Sequence, residues 1–153
     1  MIKKILIPIF FLIFTSCGFT PIYNTSNDVN YNVNLVKVKG DSLINNKITS
    51  EILRLANRDA KKVFDIELIT NYSKSTIAKD SRGSATNYEL SVNAIFNVKY
   101  QNKSINFNIN EKQNIEKISD MFEQKNYENT LKNNIAISIA NKLNIELLSI
   151  EWL

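Results

Sequence analysis

A chain of 153 residues with 44% apolar side chains is large enough for one domain with an ordinary core and too small to expect a second. It has no histidine and a single cysteine, which excludes Ser-His-Asp triads, histidine metal sites, a histidine pH switch and an intrachain disulfide. The formal charge of +4 partly belongs to the first few residues, as their reading shows.

Lys3 and Lys4 form a positive start, and Ile5 to Phe14 is an apolar run broken only by Pro8. At about ten residues the run is too short to cross ~30 Å of hydrocarbon as a permanent helix. Small residues then lead into the cysteine, so Phe14-Thr15-Ser16-Cys17 reads as the cleavage box of a bacterial lipoprotein, with Phe14 where leucine is usual. Residues 1–16 are then a signal peptide. The Cys17 thiol carries a diacylglycerol through a thioether, and its freed amine takes a further acyl chain. At about 0.8 kcal/mol per buried CH₂, such chains tether a protein almost irreversibly to a membrane. An ordinary secretory signal with an incidental cysteine, and a short uncleaved anchor, are the competing readings. Cleavage removes two lysines and no acid, so the charge falls from +4 to +2. That is not the balance of a nucleic-acid binder, and no nucleic-acid partner is expected.

Residues 17–30, with Gly18, Pro21 and a run of Asn, Thr, Ser and Asp, read as a lipidated tether, and residues 31–153 as a single domain. Tyr31 to Lys39 alternates and is rich in valine, which predicts a strand ended by Gly40 and Asp41. Asp41 or Ser42 caps a helix whose apolar face is Ile44, Ile48, Ile52, Leu55 and Ala56, running to about Arg58. Lys61 to Ser73 predicts a second strand with Phe64, Ile66, Leu68 and Tyr72 on one face. In the third, Tyr88, Leu90, Val92, Ala94, Phe96, Val98 and Tyr100 point one way and polar residues the other, with Ile95 the exception. Gln101 to Ser104 is a turn, after which Ile105, Phe107 and Ile109 alternate with asparagines to complete a hairpin.

Ser119 and Asp120 start a second helix, with Glu123 placed to close a capping box on Asp120. Its stripe is Leu131, Ile135, Ile139 and Leu143, and Asn126 marks a kink or a later start. The tail from Glu146 to Leu153 is apolar enough to pack back on the domain. The order is therefore β-α-β-β-β-α, and two amphipathic helices need one sheet face. The expected fold is an α+β two-layer sandwich, a four-stranded mixed sheet with both helices on one face.

Catalytic readings run out quickly. Asp65 and Glu67 share a strand face at a spacing that suits an acid/base pair, but alternating charges on an exposed face explain them. No glycine-rich phosphate loop exists, and neither an enzyme, a metal site nor a dissociable cofactor is expected. Between the second and third strands, Lys74 to Thr86 is longer than a plain hairpin needs. If the flanking strands extend into it, the result is a long hairpin whose tip carries Lys74, Lys79 and Arg82, placed to meet phosphate or a partner. A solvated loop is the alternative.

The residues that follow the cleavage box, Cys17-Gly18-Phe19-Thr20-Pro21-Ile22-Tyr23, resemble the mature start of the lipopolysaccharide-assembly lipoprotein family, LptE, particularly its alphaproteobacterial branch. Gly18, Phe19, Pro21 and Tyr23 match that branch's pattern, and Ile22 stands where it has leucine. The resemblance continues more loosely through Ala85-Thr86-Asn87-Tyr88-Glu89-Leu90, and weakly through Asn133 to Leu143. It implies an outer-membrane lipoprotein, anchored on the periplasmic side, with two helices against a four-stranded sheet. Such a protein plugs and helps assemble an LptD-type β-barrel, and with it moves lipopolysaccharide to the outer leaflet. Asparagine-rich strand faces suit the polar lumen of a barrel. A periplasm-facing carrier lipoprotein with an apolar ligand cavity is the alternative function.

Overall fold

The computed structural model describes residues 29–150. Cys17, Gly18, Phe19, Pro21 and Tyr23 lie outside the described residues, as do the signal peptide, most of the tether and the last three residues. The elements are β1 (Tyr31–Lys39), α1 (Ser42–Leu55), β2 (Lys62–Lys79), β3 (Ala85–Tyr100), β4 (Lys103–Glu116) and α2 (Met121–Leu148). The sheet runs β1-β2-β3-β4, with β1 parallel to β2 and the other pairs antiparallel. This is the expected α+β sandwich, an open mixed sheet with both helices on one face.

Alternation decides which face they cover. Phe64, Ile66 and Leu68 of β2 and Leu90, Val92, Ala94, Phe96 and Val98 of β3 are fully buried, and they meet Ile44, Ile48 and Ile52 of α1 and Leu131, Ile135, Ile139 and Leu143 of α2. Each of these side chains apart from Ala94 contributes roughly 1.5–3 kcal/mol when taken from water. The opposite face is open and rich in asparagine, with cross-strand rows such as Asn71–Asn93–Asn110 and Asn97–Asn106. Ile95, the exception to the alternation, lies directly across from Ile69 on this open face, and together they form a small apolar island there.

The junction of β1 and α1 is the tightest point of the chain. Gly40 has φ +118°, and a Cβ there would stand 2.0 Å from the Thr70 carbonyl oxygen and 2.4 Å from its Oγ1. Only glycine permits that approach. Thr70 is itself buried and donates to Asn45 Oδ1 of α1 at 2.7 Å. The next residue, Asp41, caps α1 by accepting from the Leu43 and Ile44 N–H groups, both at 3.1 Å. Its other oxygen takes Lys132 of α2 at 2.8 Å, and that ammonium lies 3.8 Å over the Tyr72 ring of β2. At the other end of the sheet, the Tyr31 hydroxyl donates to Asn144 of α2, and burial pushes its pKa up to about 12.

Several elements depart from the expected bounds. α1 ends at Leu55 rather than near Arg58, with Ala56 as its C-cap. β2 and β3 run on through most of the expected loop, so the turn is reduced to 80–84. β4 continues past Asn110 to Glu116, because the whole strand stays in register with β3. α2 starts at Met121 and passes through Asn126 without a break. The Asp120 carboxylate accepts from the Phe122 and Glu123 N–H groups, and the side chain that reaches back is Gln124, to the Ile118 N–H at 2.6 Å. The tail continues α2 to Leu148, with Leu147 and Ile150 buried.

Gly40→Ala is expected to destabilise the domain by at least about 2 kcal/mol in urea denaturation, through the forbidden contact and the positive φ together. Burial pushes the Asp41 carboxyl up, but the Lys132 ammonium and the two cap N–H groups outweigh it and hold the group below 3.8. Its contribution is therefore complete above the ordinary carboxylate range and is lost as pH falls through its lowered value. The urea midpoint should accordingly drop below about pH 4, and drop less in Lys132→Met.

Candidate functional site

The β2–β3 hairpin overshoots the layer covered by α1, and the start of α2 packs against its inner face. Between them lies a groove of about 390 Å³. Its floor and walls come from Tyr88 of β3, Ile118 in the β4–α2 connection and Met121 of α2, and its cations are Lys74, Lys117 and Lys125. The connection is held in place by the Lys117 N–H, which donates to the Thr86 carbonyl at 2.7 Å.

The charges in the groove are unequally engaged. The Lys74 ammonium pairs with Glu128 and lies 4.1 Å over the Tyr88 ring. Glu128 also accepts from Gln124 Nε2 at 2.9 Å, so the groove's acid is already satisfied. No ion pair among the described residues engages Lys117 or Lys125. Met121 of its lining is 87% exposed and the adjacent Phe122 73%, unusual values for large apolar side chains. A concave apolar wall beside unpaired ammonium groups suits a ligand that is anionic at one end and apolar at the other.

The three basic residues singled out in the sequence are not brought together. Arg82 lies in the hairpin turn, where Asp80 Oδ1 accepts from the Arg82 and Ser84 N–H groups at 2.9 Å each. Lys79 ends β2, whereas Lys74 lies further down the strand opposite Leu90, facing α2 rather than the tip. Lys117, Lys125, Met121 and Phe122 were not singled out. The available signal was the Met-Phe pair directly after the Asp120 cap, off the buried stripe of its helix. Asp65 and Glu67 stand on the open face, where they accept from Asn34 at 2.8 Å and Lys99 at 3.1 Å. Among the described residues there is no cluster of three or more metal-binding side chains, and no helix is long and apolar enough to cross a membrane.

No protein-family model and no curated protein sequence matches the chain. Its fold does match solved structures. Rare lipoprotein B from Shewanella oneidensis superposes with a TM-score of 0.61 at 22% identity, over 78% of this chain and 96% of that one. Lipoprotein B from Nitrosomonas europaea gives 0.51 at 12% identity, over 76% and 83%. A minor lipoprotein from Acinetobacter baumannii gives 0.52 at 8% identity, over 78% and 95%. The two-layer sandwich described above is thus a fold that lipoproteins of three bacteria share.

The position of Lys74 separates stability from binding. Lys74→Glu sets two carboxylates against each other and should lower the melting temperature by roughly 4 °C. Lys79→Glu and Arg82→Glu, at the exposed hairpin end, should leave it unchanged in the same calorimetric scan.

Proposed function

We propose that this chain is a lipoprotein of the LptE type, lipidated at Cys17 and held on the periplasmic side of the outer membrane. There it plugs and helps assemble an LptD-type β-barrel and takes part in lipopolysaccharide transport. The observation that carries the reading is the fold shared with rare lipoprotein B, standing behind a cleavage box and the heptapeptide Cys17 to Tyr23. The open asparagine face supports it, since a polar sheet surface suits a water-accessible lumen. The groove supports it too, because phosphorylated acyl lipids combine the negative charge and the hydrocarbon that its lysines and apolar walls accommodate. No catalytic role is assigned to any residue, and no cofactor beyond the lipid on Cys17.

The test is recovery of the partner. Affinity capture of the tagged full chain from outer membranes in mild detergent should bring down a barrel of the LptD type, and recovery of none overturns the reading. The carrier alternative draws on the same groove, and predicts instead a lipid that co-purifies with the chain and no barrel.

The groove has its own readout. Lys117→Glu with Lys125→Glu should weaken lipopolysaccharide binding by about tenfold or more, since two attractive charges become repulsive. Unchanged affinity in the folded double variant would move the contact to Lys79 and Arg82 at the hairpin end.

A further inference from the structure

β4 is an edge strand of 14 residues, Lys103–Glu116. Its register with β3 carries no bulge, whereas the β1–β2 pair has one register shift and the β2–β3 pair two. Long, unbulged edges are templates for strand addition, and proteins commonly blunt them with an inward-pointing charge. Away from its first residue, Lys103, the inward-pointing charge of β4 is Glu111, which lies opposite the buried Val92 and is held by Ser138 Oγ at 2.9 Å and Lys142 Nζ at 2.5 Å.

The strand is also nearly palindromic about Phe107. Read outward from it, Asn106 answers Asn108, Ile105 answers Ile109, Ser104 answers Asn110, and Lys103 answers Glu111. The backbone has the matching phase. The Lys117 N–H donates to the Thr86 carbonyl, so odd-numbered residues of β4 turn their N–H and C=O groups to β3 and even-numbered ones turn theirs to the open edge. Two copies paired antiparallel about a two-fold axis at Phe107 therefore join Asn106 to Asn108 and Ser104 to Asn110 by about eight backbone hydrogen bonds. On the helix-covered face, the same register sets isoleucine on isoleucine and lysine on glutamate.

We propose that in copies of the chain not seated in a barrel this edge is a homodimer interface, in which β4 of one copy pairs with β4 of a second to make one continuous sheet. Glu111 sets the register. Slipping the strands to the neighbouring two-fold positions puts Glu111 opposite Ile105 or Lys103 opposite Ile109, each an unfavourable pair. The flank of α2 supplies the cover, since Ile145 is 66% exposed and overhangs the edge at a cavity of about 350 Å³ shared with Asn108 to Asn110. A closed two-fold pairing leaves no second copy of this edge free, so the assembly stops at two.

The test uses the mature chain, residues 17–153, with Cys17→Ser so that no lipid is attached and the apolar signal is absent, in sedimentation equilibrium across about 1–500 μM, a range set to bracket weak self-association. The expected result is a concentration-dependent dimer. Asn108→Pro removes an N–H that faces the edge and leaves the β3 ladder intact, and should raise the dissociation constant at least about tenfold. Glu111→Lys should do the same, and adding Lys103→Glu to it should restore the dimer, because the swap rebuilds the pair across the axis but not the bond to Lys142. A chain that stays monomeric throughout, a dimer indifferent to Asn108→Pro, or a swap that fails to restore association in folded protein, overturns the proposal.

Discussion

The architecture hangs on the contact between Gly40 and Thr70. β1 must stop pairing with β2 there and leave the sheet plane, and the turn is so tight that a β-carbon at Gly40 would stand 2.0 Å from the Thr70 carbonyl oxygen. From that point three connections fan out. Thr70 fixes Asn45 inside α1, Asp41 starts α1, and the same carboxylate draws in Lys132 of α2. Gly40, Asp41 and Thr70 thereby set where both helices lie over the sheet. Lys132 on the Tyr72 ring closes the loop back to β2. The arrangement works because no member is a free charge in the core: the carboxylate, the ammonium and the aromatic face satisfy one another at the edge of the buried layer.

The helix-facing alternation of β3 was readable residue by residue, because a strand with one buried face must place apolar side chains at every second position. The α1 cap and the α2 stripe were equally plain. Strand lengths were not. Lys74 to Lys79 shows no alternation of the buried kind, since past Tyr72 the inner face meets charge on α2 rather than core, and a strand without a core side has no hydrophobic period to reveal it. The groove was hidden for a related reason. It is assembled from a strand, a connection and a helix start, and neither Lys117 nor Lys125 has a local pattern that marks it out. What the sequence does carry there, an exposed Met121-Phe122 pair, gains its meaning only when the chain folds the connection against Tyr88.

The two long sheet edges are treated alike in chemistry. Past Ile69 β2 has no β1 partner, and it carries the inward-facing Lys74, paired with Glu128. β4 carries the inward-facing Glu111, paired with Lys142. In each case a helix residue of opposite sign neutralises a charge that would otherwise be stranded beneath the sheet. The polar open face and these guarded edges explain how an asparagine-rich, strand-rich chain avoids indiscriminate pairing.

The chain begins and ends its described course at one pole. Tyr31 pairs with Lys62, whose ammonium bonds the Ile150 carbonyl at 3.3 Å, while the groove lies at the opposite pole, past the start of α2. A 28-residue helix spans about 42 Å, so the groove stands roughly that far from the pole where the described chain enters. Any attachment made ahead of Tyr31 therefore acts at that pole and presents the groove a helix's length away from itself.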